Sequence, residues 1–271
     1  MDEILEYRGV EGLVAAEVLE DSADNYTTGE VFPIAGVAEI ARKTDASNES
    51  HYYDNMPAII VSNTASDEVT INTSAIPLDK YAKVTGQHYD NATGAMIEGA
   101  REFKYFALGY KTKKTNGDEV YVWRYKGTFN IPDQTNATEN DGTDANGQEL
   151  VYTGIQTTHK FTKTGKGAKA MNVDVAKNLA DVSEFFDEVT TPDTLQAKTT
   201  YDLTITQGQG TVVTVKRNGQ TVSAGTDVLH DGDVLTISVT GGTLTVNSQT
   251  FVSGSTHTVT GDVTVVSTAQ A

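Results

Sequence analysis

The chain has 271 residues, with 37 acidic and 20 basic side chains, no cysteine and a formal net charge of −17. That length buries a sizeable core and predicts one or two domains, and the missing cysteines exclude disulfides and thiolate metal sites. With no Lys/Arg cluster to neutralise phosphates, a protein that wraps DNA is excluded, and no apolar run approaches the roughly 20 residues that span a bilayer. The first residues, MDEILEYRGVEG, are acidic where a signal peptide is basic and then apolar, so export by that route is not expected.

In chain order, GLVAAEVLE (12–20) and FPIAGVAEIARK (32–43) have the apolar content of strands. The polar stretch Thr44 to Asn55 reads as a loop entering the strand PAIIVSN (57–63), and SDEVTINTSA (66–75) continues as a strand of irregular alternation. A short helix follows Ser74. Pro77 suits a first helical turn, Leu78, Tyr81 and Ala82 share a face, and Gly86 ends the helix with a positive φ. EFKYFALGYKTKK (102–114) and EVYVWRYKGTF (119–129) then flank Asn116-Gly117, a pair suited to supplying two positive φ angles in a tight hairpin turn. In the second strand Tyr121, Trp123 and Tyr125 share one face, and Val122 and Arg124 share the other. Aromatics so placed mean core or interface, with a sugar-binding platform as the sharper alternative. Lys111, Lys113 and Lys114 beside the turn read as a solvated face.

Asp133 to Gln148 is a polar loop rich in Gly, Asn and Asp, and ELVYTGIQTTHKFT (149–162) is a further strand. Asn172 or Asp174 then caps an expected helix whose Val175, Leu179, Val182, Phe186 and Val189 form one apolar stripe. Composition shifts near residue 199. Beyond it there is no glutamate, and Lys216 and Arg217 stand against Asp202, Asp227, Asp231, Asp233 and Asp262. The expected organisation is therefore a first domain over 1–190, a linker over 191–199 and a second domain over 200–271. In the second domain YDLTITQ, TVVTVKR, VLTISVT, TLTVN and DVTVVST are short strands, with hairpins at Asn218-Gly219 and Gly241-Gly242. They predict a small all-β sandwich without the Cys…Trp…Cys pattern of true immunoglobulin domains.

No motif points to catalysis, and an enzyme is not expected. His51, His88, His159, His230 and His257 are dispersed without metal-ligand spacing, and neither HExxH nor GxSxG occurs. Gly208 to Gly210 (GQG) and Thr164 to Lys169 (TGKGAK) lack the remaining residues of dinucleotide and phosphate loops and read as turns. Glu139, Asp141, Asp144 and Glu149 do not follow the ligand order of an EF-hand, so a solvated loop is the reading preferred over a Ca²⁺ site. Asp231 and Asp233 around Gly232 read as turn-shaping residues.

Three stretches, LDKYAKVTGQHYDNATGAMIEG (78–99), KYFALGYKTKKTNGDEVYVWRYKGTF (104–129) and EFFDEVTTPD (184–193), resemble in order and spacing the major tail proteins of long non-contractile-tailed bacteriophages. These are the tail-tube subunits, and the resemblance covers most of residues 1–190. It implies a mainly β fold, a sandwich or barrel of two packed sheets with a flanking α-helix, and no catalytic residue, metal or cofactor. It also implies a virion protein, made in the cytoplasm of the bacterial host, that forms stacked hexameric rings. The resulting tail tube conducts DNA into the host, and its partners are other copies of itself, a tape measure protein and the tail-tip and tail-terminator proteins. Double-stranded DNA passes without sequence-specific binding, and an acidic wall of the same sign as DNA favours passage. Terminal arms and long loops bind the next ring, with residues 1–9, 44–55 and 133–148 as candidates. The second domain resembles immunoglobulin-like ornament domains of phage tails, for which weak host-surface glycan binding is the functional reading and passive decoration the bland one. No membrane partner is expected. A bacterial surface or adhesive β-protein would carry an export signal, and a carbohydrate-binding module needs exposed coplanar aromatics, of which the second domain has only Tyr201 and Phe251.

Overall fold

The structure, a computed structural model, describes residues 4–53, 55–132 and 147–270. It is mainly β. The chain forms two compact units, the first comprising Met1–Ala176 and Val182–Leu195, the second Lys177–Asp181 and Gln196–Ala271. Of the segment 191–199, Thr191 to Leu195 falls in the first unit and Gln196 to Thr199 in the second.

The first unit runs β1 (Tyr7–Asp21), β2 (Tyr26–Thr28), β3 (Phe32–Pro33), β4 (Val37–Tyr53), β5 (Met56–Thr73) and helix α1 (Leu78–Thr85). It continues with β6 (His88–Asp90), β7 (Ala95–Ile97), β8 (Phe106–Lys114), β9 (Glu119–Phe129), β10 (Gln148–Ile155) and β11 (Ala170–Asp174). One antiparallel sheet has the order β2-β1-β8-β9-β10-β5-β4, with β3 on β1 and β11 on β9. Strands β1 and β4 are five steps apart in that order, about 24 Å if the sheet were flat. Their residues nevertheless approach within 8 Å, so the sheet curls on itself. Its inner face carries Leu13, Ala15, Val69, Ile71, Phe106, Leu108, Leu150 and Tyr152, and α1 adds Tyr81 and Val84 to the same core.

The curl stops short of closure. β1 pairs with β8 through two register shifts, at Tyr7/Val10 and Glu11/Val14. Gly9 (φ 94°) and Gly12 (φ 67°) sit at these shifts. Bulges of this kind need positive φ, bend the strand and turn its edge away from a partner. β2 and β3 take the other edge of β1 from Val14 to Asp21, and the rest of β1 faces β4 across a seam without pairing with it.

Helix α1 ends as expected, with Gly86 in the left-handed region at φ 70° and its N–H bonded to the Ala82 carbonyl. Pro77 precedes the helix as its cap residue with ψ 137°, outside the first turn. Tyr81 and Ala82 are buried, but Leu78 is half exposed. In the β8–β9 hairpin only Gly117 takes positive φ. Its N–H bonds the Lys114 carbonyl and the Lys114 N–H bonds the Asp118 carbonyl. This is a turn with one bulge residue, not the two-residue turn expected of Asn116-Gly117. Asn116 instead accepts the Asp118 N–H with its side chain.

Two expectations fail outright. Asp54 lies outside the described residues, and residues 44–53 are not a loop. β4 runs through them and pairs with β5 in register from Val37↔Thr73 to Tyr53↔Met56, apart from bulges, with Asn55 turning at φ 62°. From Ser50 to Tyr53 every side chain is exposed, so solvent meets both faces there and the alternation that marks a half-buried strand is lost. The helix expected over 172–189 is absent. Residues Ala170 to Asp174 pair instead with Arg124 to Val120 of β9, one 3₁₀ turn follows at Val175–Lys177, and Asn178 breaks it at φ 53°. β10 occupies only the Lys126 to Phe129 end of that side of β9. The unpaired remainder of the edge supplies ladder bonds to 170–174, and beyond it Asp181 N–H bonds the Gln196 carbonyl and Lys198 N–H the Leu179 carbonyl, long-range bonds that replace those of a helix.

The second unit contains β12 (Thr200–Tyr201), β13 (Leu203–Thr206), β14 (Val212–Arg217), β15 (Gln220–Thr221), β16 (Leu229–His230), β17 (Val234–Thr240), β18 (Gly242–Val246), β19 (Gln249–Phe251), β20 (Ser255–Thr258) and β21 (Val263–Ala269). Two sheets, β13-β21-β18-β19 and β15-β14-β17-β20, enclose one core. Alternation is plain in β17, where Leu235 and Ile237 are buried between exposed Val234 and Thr236. Asn218 and Gly219 both take positive φ between β14 and β15, the expected hairpin turn. Gly241 instead passes the chain from one sheet to the other, and the β18–β19 turn is made by Asn247 and Ser248 at positive φ. Segment 177–181 belongs to this unit through an Ala180↔Ala197 bridge and through Asn178, whose amide donates to Asp233 Oδ1 at 2.8 Å.

Candidate functional site

The residues that the sequence brings forward are mostly structural. The face of Tyr121, Trp123 and Tyr125 is covered from within the first unit. Trp123 Nε1 donates to the Phe185 carbonyl at 2.8 Å, Tyr121 packs on Phe185 and Phe186, and Tyr125 donates to the Thr190 carbonyl. Trp123 and Tyr125 are fully buried and Tyr121 is half-buried under the two phenylalanines, so the three form no open sugar platform. The lysines beside the hairpin turn are paired: Lys113 with Glu11 and Glu119, Lys114 with Asp174 at 2.8 Å, while Lys111 lies over the Tyr121 ring.

Gly210 and Gly165, at positive φ, lie in turns closed by Thr211 N–H to the Gly208 carbonyl and by the Phe161–Lys166 pairing. Glu139, Asp141 and Asp144 lie outside the described residues, and Glu149 is in β10. No group of three or more His, Asp or Glu able to hold a metal occurs among the described residues. Among them, no helix is long and apolar enough to cross a membrane. Tyr201 and Phe251 are half-buried against the core of the second unit.

Three buried carboxylates were not legible as sites. Asp67 receives Arg124 Nη1 at 2.8 Å, with Lys169 at 3.4 Å and Arg42 at 3.9 Å. Burial pushes its carboxyl upward, but hydrogen bonds from Arg124 and Thr44 and the charges of Lys169 and Arg124 outweigh this and hold it below the usual carboxylate range. Asp21 is similarly opposed by burial and held low by Lys126 at 2.5 Å and by the N–H groups of Thr158 and His159. This bond set ties the segment after β10 to the end of β1. In the second unit Asp233 fixes the turn at Gly232 by accepting from the His230 N–H, Arg217 and Asn178, which also hold it low against burial. The one sequence signal for such a cluster was Arg124, placed on the same strand face as apolar Val122.

The exposed features are sheet edges. β4 pairs only with β5, so its outer edge carries no described partner along 17 residues. β10 accompanies β5 only from Asp67 to Thr73, so β4 and β5 continue beyond it as a two-stranded ribbon. At the ribbon's end Tyr52 (66% exposed), Tyr53, Met56 (67%) and Ile59 stand in solvent. An isolated two-stranded ribbon is marginal in water, and a long unpaired edge is a template for another chain.

Comparison with protein-family models and with curated proteins finds no match to this chain.

Proposed function

We propose that this protein is a structural subunit that polymerises, in the manner of a phage tail-tube protein, with its first unit building the tube wall. The reading rests on the resemblance of three stretches of sequence, and the observation that supports it most is the β4–β5 ribbon with its exposed apolar end. That ribbon presents main-chain donors and acceptors along one edge and four large apolar side chains at its tip. Each is costly for a monomer and useful in a polymer. The ribbon tip and the sheet edges are different surfaces. Contacts of one to another are heterologous, and such contacts close into rings or extend as filaments. In a virion the same tube would enclose the tape measure protein, meet tail-tip and terminator proteins at its ends and pass DNA. The second unit would then be a decoration carried by the wall.

Sedimentation velocity and negative-stain electron microscopy of the full chain test this reading. Rings or tubes of uniform diameter are expected, and the double variant Tyr52→Ser/Met56→Ser is expected to shift the population to monomer while the fold is retained. A chain that stays monomeric at high concentration with tail-tip seeds present, or assembly indifferent to the ribbon substitutions, overturns it.

A further inference from the structure

The seam left open between β1 and β4 encloses a cavity of about 500 Å³, within the range of small-molecule sites. Its floor is Tyr110, Val120 and Val122, and its walls are Val10 on one edge and Ile40 on the other. Two guanidinium groups line it, Arg42 and Arg124. Arg124 is 4% exposed and commits Nη1 to Asp67, while its Nε–H is buried with no partner among the described residues. A buried unpaired donor is unfavourable and rare. Arg42 is half exposed and reaches only to 3.9 Å from the same Asp67, which Arg124 and Lys169 already neutralise. Glu39 also lines the cavity and accepts from Asn72. The charged residues lining the cavity are thus two arginines and one glutamate, a local positive surplus in a chain of net charge −17.

We propose that this seam cavity binds a carboxylate carried on an aliphatic or aromatic body, the carboxylate against Arg42 and the free side of Arg124, the body against the apolar floor. The physical case is complementarity at both ends. The guanidinium edge that bears Nε is the one suited to side-on pairing with a carboxylate. The apolar floor adds burial that a bare inorganic anion cannot use. Every residue named lies in the first unit of a single chain, so the site needs no second copy.

Isothermal titration of the full chain with decanoate, below its micelle concentration, tests it. One decanoate per chain is expected, with decyltrimethylammonium not binding and inorganic phosphate binding at least tenfold more weakly. Arg124→Met and Arg42→Ala are each expected to weaken decanoate by roughly tenfold or more, as loss of a charged hydrogen-bond donor does. Arg42 is exposed enough that its removal leaves the fold intact, and the emission of Trp123 checks folding of the Arg124 variant. No decanoate binding by the folded protein overturns the proposal. Undiminished binding in Arg42→Ala, equal binding of the cationic analogue, or phosphate binding as tightly as decanoate does so equally.

Discussion

Replacing Asp67 by Ala removes the one carboxylate that Arg124, Lys169 and Arg42 share. Lys169 and Arg42 have side chains reaching solvent, at 21% and 54% exposure, and can hydrate. Arg124 hydrates least, because its side chain is 5% exposed. The variant therefore strands one buried guanidinium, a loss of about 3–5 kcal/mol against a total stability of roughly 5–15 kcal/mol for a domain. For a unit of this size that corresponds to a fall in Tm of roughly 6–20 °C. Trp123 is the only tryptophan, is fully buried and lies in the first unit, so its emission during urea or thermal unfolding reports that unit alone. Asp67→Asn keeps an acceptor for Arg124 and should lose less than Asp67→Ala. The double variant Asp67→Ala/Arg124→Met removes both charges and should recover much of the loss, since the penalty belongs to the uncompensated charge. A cost under about 1 kcal/mol for Asp67→Ala, or a double variant no more stable than the single, refutes the account of this cluster as a desolvated ion pair.

Acid should unfold the protein through its buried aspartates. Asp21, Asp67 and Asp233 are held low in the fold, so their stabilisation is complete above the unfolded aspartate value of about 3.9 and disappears as pH falls through the folded values. Stability should be flat from neutral pH to about 5 and decline below about 4, read by Trp123 emission for the first unit and circular dichroism for the second; a decline already complete at pH 5 contradicts this. Gly86 and Gly117 both hold positive φ, but a Cβ at Gly86 overlaps the Glu102 carbonyl while Gly117 has open space. Gly117→Ala should cost about 1 kcal/mol, Gly86→Ala clearly more, measured by urea unfolding, with equal losses speaking against the packing argument. A fragment spanning residues 177–271 should be more stable than one spanning 196–271 by about 1–3 kcal/mol, because only the former keeps Asn178 on Asp233. Equal midpoints for the two fragments would show that segment 177–181 adds nothing to that unit.

Much of the β architecture was legible in the sequence because the relevant forces act locally. The strand VLTISVT, the helix stop at Gly86 and the Asn218-Gly219 turn each depend on neighbours along the chain, and each occurs as read. Tertiary structure decided what depends on partners distant in sequence. Residues 170–174 are a strand because β9 leaves part of an edge unpaired, whatever the apolar spacing of the residues that follow. The ribbon over 44–53 is extended because β5 returns alongside it, although solvent on both faces from Ser50 to Tyr53 leaves no periodic signal. Asn116 forgoes positive φ because the β8–β9 register fits a one-residue bulge at Gly117. The Asp67 cluster and the seam were beyond reading, because they arise only when the sheet curls and brings β1 opposite β4. Charge burial and open edges are properties of the closed surface, and the chain acquires them only on folding.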